Sequence, residues 1–232
     1  MLVLALDTAT PAVTAGVVEV APDTAGSGPG SVTTRSVRVA HDARKHGELL
    51  MPAVLAVCAE AGATLHDIGA IVVGAGPGPF TGLRVGMVTA AALGDALDVP
   101  VHGVCSLDAI AAEAVRDAAA DGPLLVATDA RRREVYWAAY DAAGARTAGP
   151  YVEAPAVLAD RLAELGVTAA AGSCAGGLGL PLVPPPTPGP GGLVACALDA
   201  LRSGTRPGPV EPLYLRRPDA VEPGPRKPVT AS

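Results

Sequence analysis

Aromatic side chains are nearly missing from this sequence: one Phe, one Trp and four Tyr make up 3% of 232 residues. With 50% of its residues hydrophobic, the chain must build its interior from Ala, Val and Leu rather than from rings. Positive charge is also short. A formal net charge of −6 argues against a broad basic surface, and so against autonomous binding of tRNA or DNA. No apolar run approaches the roughly 18 residues of a membrane span. Met1 to Asp7 lacks a basic n-region, so neither a span nor a signal peptide is expected. There is no C-x-x-C. Cys58, Cys105, Cys174 and Cys196 are scattered, as expected of reduced, mostly buried thiols in a cytoplasmic protein, and a zinc site would have to draw them from four distant places.

Catalytic signatures are missing too. The glycine loop fails G-x-G-x-x-G, reaching Pro79 when read from Gly74 and Thr81 when read from Gly76. G-x-x-x-x-G-K-[ST] is absent and no lysine lies near the loop. Pro77 and Pro79 remove two amide donors from a helix start that could otherwise bind an anion. Neither a G-x-S-x-G elbow nor H-E-x-x-H occurs. Asp7, at a strand end beside Thr8 and Thr10, is a candidate contact for a phosphate or a magnesium-bound water; the alternative is a turn or capping residue. Asp129 with Arg131 could organise a hairpin by local hydrogen bonds. His41 and His46, five apart, share no helical face and read as solvated or capping residues. Nothing assembles a nucleophile, a base and an oxyanion site, so no catalytic residue is assigned.

What is present is a regular alternation of elements. Leu2–Leu6, Val13–Val20 and Ser31–Ala40 read as three successive antiparallel strands, with Ala21–Gly30 a long Gly/Pro/Ser-rich connection. Arg44–Ala61 reads as a helix with two apolar stripes, one of Leu50, Val54, Val57 and Ala61, the other of Met51, Leu55 and Cys58. That arc is broader than a sheet-facing stripe requires: either the helix is sandwiched or its second stripe meets a partner. Next come a strand at Ile68–Gly74, a helix from an N-cap at Thr81 to Leu97, a strand at Val99–Val104 and a helix at Ser106–Ala120. The pattern then restarts with Leu124–Thr128, a charged turn Asp129–Glu134 and an exposed-faced strand Val135–Asp141. A helix at Ala154–Leu165, a strand at Val167–Ala171, a Pro/Gly linker at Pro184–Gly192 and a helix at Leu193–Leu201 follow. The tail from Ser203 reads as irregular apart from Val210–Leu215, and its Arg216, Arg217, Arg226 and Lys227 as a solvated terminus, the alternative being a contact with tRNA.

Within the helix to Leu97, Gly82, Gly86, Ala90 and Gly94 recur every four residues and form one nearly side-chain-free ridge. Interior Gly86 and Gly94 each cost about 1 kcal/mol against Ala, so another backbone is expected to approach closely along the ridge. Spacing alone fits a contact with the chain's own sheet or with a second protein, with Met87 and Ala91 packing beside it.

The segments LALDTAT, GAGPGPFTGLRVGMVTAAALG, VHGVCSLDAIA, DARRREVYWAAYD and PLYLRRP together resemble the TsaB family, over most of the chain except roughly Gly172 to Gly208. The G-P-G-x-F-T-G-L-R core stands as Gly76 to Arg84, with Pro79 in place of the small polar residue common there. The resemblance implies an α/β fold of two related lobes, actin/Hsp70/sugar-kinase-like with a ribonuclease H-like motif, in which mixed β-sheets are flanked by helices. The first lobe would span 1–104, its helices 44–61 and 81–97 binding a partner, completed by helix 193–203; 105–188 would form the second, and 204–232 an irregular tail. It further implies a non-catalytic role in making threonylcarbamoyladenosine beside the anticodon of ANN-decoding tRNAs. The partners would be a catalytic TsaD-like subunit and a TsaE-like ATPase, which would hold the metal and ATP. The chain itself would carry no cofactor, meet tRNA only through the complex, stay in the cytoplasm and form a homodimer when alone. TsaD-like proteins carry an H-x-x-x-H metal pair whose positions here hold Ser106 and Ile110, neither of them a comparable ligand. The implied interface is a two-helix face of Met51, Leu55, Cys58, Gly82, Gly86, Met87, Ala90 and Gly94. The competing expectation is a stand-alone ATP- or metal-dependent enzyme of the same superfamily, a phosphotransferase or metallopeptidase, for which Asp7 would be the anchor.

Overall fold

In the computed structural model the described residues are 1–22, 31–42 and 45–216. The Ala21–Gly30 connection falls mostly outside them, as does Arg44. A five-stranded sheet is ordered β3-β2-β1-β4-β5, from β1 (Leu2–Asp7), β2 (Ala12–Val20), β3 (Val32–His41), β4 (Ile68–Gly74) and β5 (Val101–Val104). β1, β2 and β3 pair antiparallel, whereas β4 and β5 join parallel after helical crossovers. A four-stranded sheet is ordered β8-β7-β6-β9, from β6 (Leu124–Asp129), β7 (Val135–Tyr140), β8 (Arg146–Glu153) and β9 (Ala169–Ala171).

The period of two in β1 shows how the layers are specified. Leu4 and Leu6 face α1 (His46–Glu60) and α2 (Phe80–Leu97), while Val3 and Ala5 face α5 (Pro190–Ser203). α3 (Ser106–Arg116) fills the middle: Ala109 packs with α5 under the first sheet, and Leu107, Ile110, Ala111 and Ala114 pack on the second. α4 (Pro155–Leu165) covers the far face of the second sheet with Leu158. The outcome is five layers, helices–sheet–helices–sheet–helix. No described helix is long and apolar enough to cross a membrane.

Several expectations are corrected. β7 is buried along its whole length, because α3 covers one face and α4 the other; Trp137 and Tyr140 are among the largest fully buried side chains. β8, unexpected from the sequence, pairs antiparallel with β7 at the edge. α5 starts at Pro190 inside the presumed linker, since Pro at the first helical position forfeits only an amide that has no partner there. The first residue of α2 is Phe80 after Pro79, not a helix capped by Thr81. Val210–Leu215 forms no strand, although Leu213 N–H donates to the Ala75 carbonyl at 2.8 Å and ties the tail to the glycine loop. Of the cysteines, Cys58 and Cys105 are buried but Cys174 is half-buried and Cys196 exposed.

Candidate functional site

β1 ends at Asp7, which is completely buried. Its Oδ1 accepts from the Ala9 amide at 2.9 Å, and its Oδ2 accepts from the Ser106 hydroxyl at 2.6 Å. Gly74 at the end of β4 makes room: a Cβ there would sit 1.8 Å from Asp7 Oδ2. Burial pushes the Asp7 carboxyl up to about 6, with the Ser106 and Ala9 donors pulling back. Both carboxylate oxygens are thus engaged, and they join the first sheet to the start of α3. Ile110, one turn beyond Ser106, is buried in the second sheet's core. The histidine-pair positions therefore present a hydroxyl already bonded to a carboxylate, and an alkyl group.

Thr8 explains the glycine ridge. Its hydroxyl donates to the Gly82 carbonyl at 2.7 Å and accepts from the Gly86 amide at 3.0 Å, bridging the pair that an uninterrupted helix joins directly. A Cβ on Gly86 would lie 2.4 Å from that oxygen, and one on Gly82 2.9 Å from the Thr8 carbonyl. At the other end of α2, a Cβ on Gly94 would meet Val101 Cγ2 at 2.2 Å, and Ala90 is fully buried. The close contact predicted by the spacing is real, but it lies within the chain. It meets backbone first only at Gly82, and the Thr8 and Val101 side chains first at Gly86 and Gly94. Gly82, Gly86, Ala90 and Gly94 therefore do not line an outward face, and neither does Cys58, which is 3% exposed. What the two helices turn outward is Leu55 and Val88, 55% and 66% exposed, beside half-buried Met51 and Met87. Val88 lies on the opposite face of α2 from the glycine period, so that period carries no signal for it.

Thr10 and His46 complete the buried turn. The Thr10 hydroxyl accepts from the Ala12 amide at 3.2 Å, and His46 Nε2 lies 3.0 Å from the Thr10 carbonyl. His46 is buried, not solvated, because α1 begins against this turn. Thr8, Thr10, His46, the first turn of α2 and Arg131 line a cavity of about 170 Å³. Next to it a second cavity, of about 210 Å³, is lined by Gly78, Pro79, Phe80, Ala130, Arg131, Arg132, Tyr136, Tyr214, Leu215 and Arg216. Arg131 is common to both, so the expected Asp129–Arg131 hairpin stands at the mouth between the two sheets. Its Arg131 amide donates to Asp129 Oδ1 at 3.0 Å. Phe80, Tyr136 and Tyr214 were not singled out in the sequence; their scarcity was the available signal.

The sequence model described as TsaD, tRNA N6-adenosine threonylcarbamoyltransferase, matches residues 38–175. An uncharacterized protein of Mycobacterium tuberculosis is 51% identical over 218 residues, covering 94% of this chain and 93% of that one. The tRNA threonylcarbamoyladenosine biosynthesis protein TsaB of Escherichia coli is 40% identical over 97 residues, 42% of each chain. The crystallised YeaZ of Pseudomonas aeruginosa superposes with a TM-score of 0.71 at 28% identity, covering 92% of this chain and 99% of that one. The chain belongs to the TsaD family as a TsaB-like member, with the fold of the actin/sugar-kinase-like superfamily.

Proposed function

We propose that this chain serves the biosynthesis of threonylcarbamoyladenosine in tRNA as a non-catalytic cytoplasmic subunit, docking a TsaD-like catalytic subunit on the outer face of α1 and α2. The names of its TsaB relatives point to that pathway. The observation that carries the docking role is that each of these neighbouring helices exposes a large apolar residue, Leu55 on α1 and Val88 on α2, with Met51 and Met87 half-buried. An exposed patch on two neighbouring helices favours a protein partner. A homologous subunit would set its own pair of helices against it, and two copies of this chain would do so when the partner is lacking. A TsaE-like ATPase joins the assembly, and ATP and the metal belong to the partner subunits. The non-catalytic role is supported by Asp7, whose two oxygens are taken by Ala9 and Ser106.

The test uses surface residues, since the ridge glycines hold the fold itself. Val88→Asp and Leu55→Asp should leave thermal unfolding nearly unchanged, as exposed substitutions usually shift stability by no more than about 0.5 kcal/mol. Each should weaken capture of the cell's TsaD-like protein by about ten-fold or more. A tRNA modification assay with each subunit omitted completes the test. Undiminished capture by both variants, or modification by this chain alone, would overturn the proposal.

A further inference from the structure

Three of the chain's six aromatic residues, Phe80, Tyr136 and Tyr214, line one cavity of about 210 Å³ at the mouth between the sheets. They come from the start of α2, from β7 and from the tail, so the fold gathers what the sequence disperses. Phe80 and Tyr214 stack with ring centroids 5.2 Å apart and planes 27° from parallel. Arg84 lies over the Phe80 ring at 3.9 Å, and its Nε donates to the Tyr214 hydroxyl at 2.9 Å. Arg84, Phe80 and Tyr214 thus form a closed cluster in the cavity wall, each touching the other two. Both rings are 37% exposed, in a protein whose other rings include the fully buried Trp137 and Tyr140.

The charge at this mouth opposes that of the whole molecule. Arg131, Arg132 and Arg216 line the cavity, with Arg84 on the Phe80 ring beside it, against the carboxylates of Asp129 and Glu134. Arg131 pairs with Asp129 at 3.7 Å and Arg216 with Glu134, and the three lining arginines outnumber these two carboxylates on a chain of net charge −6. The backbone supports the array at a cost: Arg131, Arg132 and Arg133 take φ of 62°, 52° and 61°, the left-handed region that side chains rarely occupy. Such outliers persist where surrounding structure holds them, and they cluster at ligand sites.

Exposed aromatic rings beside arginines, with the neighbouring carboxylates of Asp129 and Glu134 already paired to arginines, are the chemistry that takes up nucleotides regardless of sequence. We infer that this pocket holds an unpaired nucleotide of RNA, its base against the exposed Phe80–Tyr214 pair and its phosphate held by Arg131 and Arg132. The inference rests on the proposed role in tRNA modification, and it revises the expectation from net charge that RNA is met only through partner subunits. A net negative chain steers poorly, so binding by the chain alone is weak but measurable at low salt.

The test is fluorescence anisotropy of a short labelled single-stranded RNA titrated with the full chain, in parallel with capture of the TsaD-like protein. Tyr214→Leu should weaken RNA binding by about ten-fold or more, and Tyr214→Phe should retain most of it. Arg131→Gln should flatten the salt dependence by about one phosphate contact. Unlabelled adenosine monophosphate in excess should compete poorly; efficient displacement by it keeps a nucleotide site but overturns the RNA assignment. Absence of RNA binding, or binding indifferent to both Tyr214→Leu and Arg131→Gln in folded variants, overturns the proposal and leaves the docking role standing. If Tyr214→Leu abolishes partner capture instead, the pocket is a protein interface and the inference is wrong. RNA binding without any TsaD capture would remove the docking role and keep the pocket.

Discussion

The two sheets each begin with an antiparallel hairpin whose first strand ends in an aspartate, and the two aspartates make the same local bond. Asp7 Oδ1 accepts from the amide two residues on, at 2.9 Å, and Asp129 Oδ1 does likewise at 3.0 Å. Everything beyond that bond differs. The Asp7 turn is sealed: its carboxylate is capped by Ser106, its Thr8 hydroxyl is threaded between Gly82 and Gly86, and its neighbours are glycines where a Cβ would collide. The Asp129 turn is open: the Asp129 side chain is 35% exposed and three exposed arginines follow it. One aspartate motif has been used once as a strut and once as a base for an outward array. The surroundings, rather than the motif, decide which.

The sharpest way to break the comparison is to crowd the sealed turn. Gly74→Ala would place a methyl 1.8 Å from Asp7 Oδ2 and 2.6 Å from Ser106 Oγ, both belonging to buried side chains. Overpacking of this kind costs on the order of 3 kcal/mol, or about 6–12 °C in Tm for a chain of this size. Combining it with Asp7→Ala should restore part of the loss, because the two atoms that collide would no longer both be present. Thermal melts of the two single variants and the double variant check this. Purely additive losses would mean that the collision is not with Asp7.

An effect of similar size tests the sealed turn by pH. Burial holds Asp7 near 6 against an ordinary 3.8, so the native state keeps its proton where the unfolded chain has lost it. The contribution of this group is therefore fully present below about pH 4 and is lost as pH rises through about 6. The loss is on the order of 3 kcal/mol, set against whatever the other carboxylates contribute in the opposite direction. The difference between wild type and Asp7→Asn isolates it: the variant should gain relative stability between about pH 4 and 6.5. Urea midpoints at several pH values measure that difference.

How much of this could be read beforehand follows the same division. The order of elements was legible because sheet and helix periods are written in adjacent residues, as in Leu4 and Leu6 against Val3 and Ala5. The glycine ridge was legible as a close contact but not as to its partner, because Thr8 lies 74 residues from Gly82. β7 was misread as half-exposed since the helices on its two faces, α3 and α4, belong to separate parts of the chain. The arginine–aromatic pocket was illegible for the same reason: Phe80, Tyr136 and Tyr214 share no local pattern. Only their rarity in a chain with six rings marked them.

The smallest effect concerns backbone rather than side chains. Arg133 has φ of 61° and does not line the cavity, so its conformation can be relieved without removing a pocket group. Glycine accepts that φ freely, whereas an L-residue with a Cβ pays roughly 1–2 kcal/mol for it. Part of the relief is lost to the greater freedom of glycine in the unfolded chain. Arg133→Gly should therefore stabilise the protein by about 0.5–1 kcal/mol, or about 1–4 °C in Tm. The corresponding change at the sealed turn, Thr8→Gly, should do the reverse, because the hydroxyl that bridges Gly82 and Gly86 would be lost. Calorimetry of the two variants would give opposite signs if one turn is a strut and the other a strained platform. Equal signs would mean that the left-handed arginines carry no strain worth relieving.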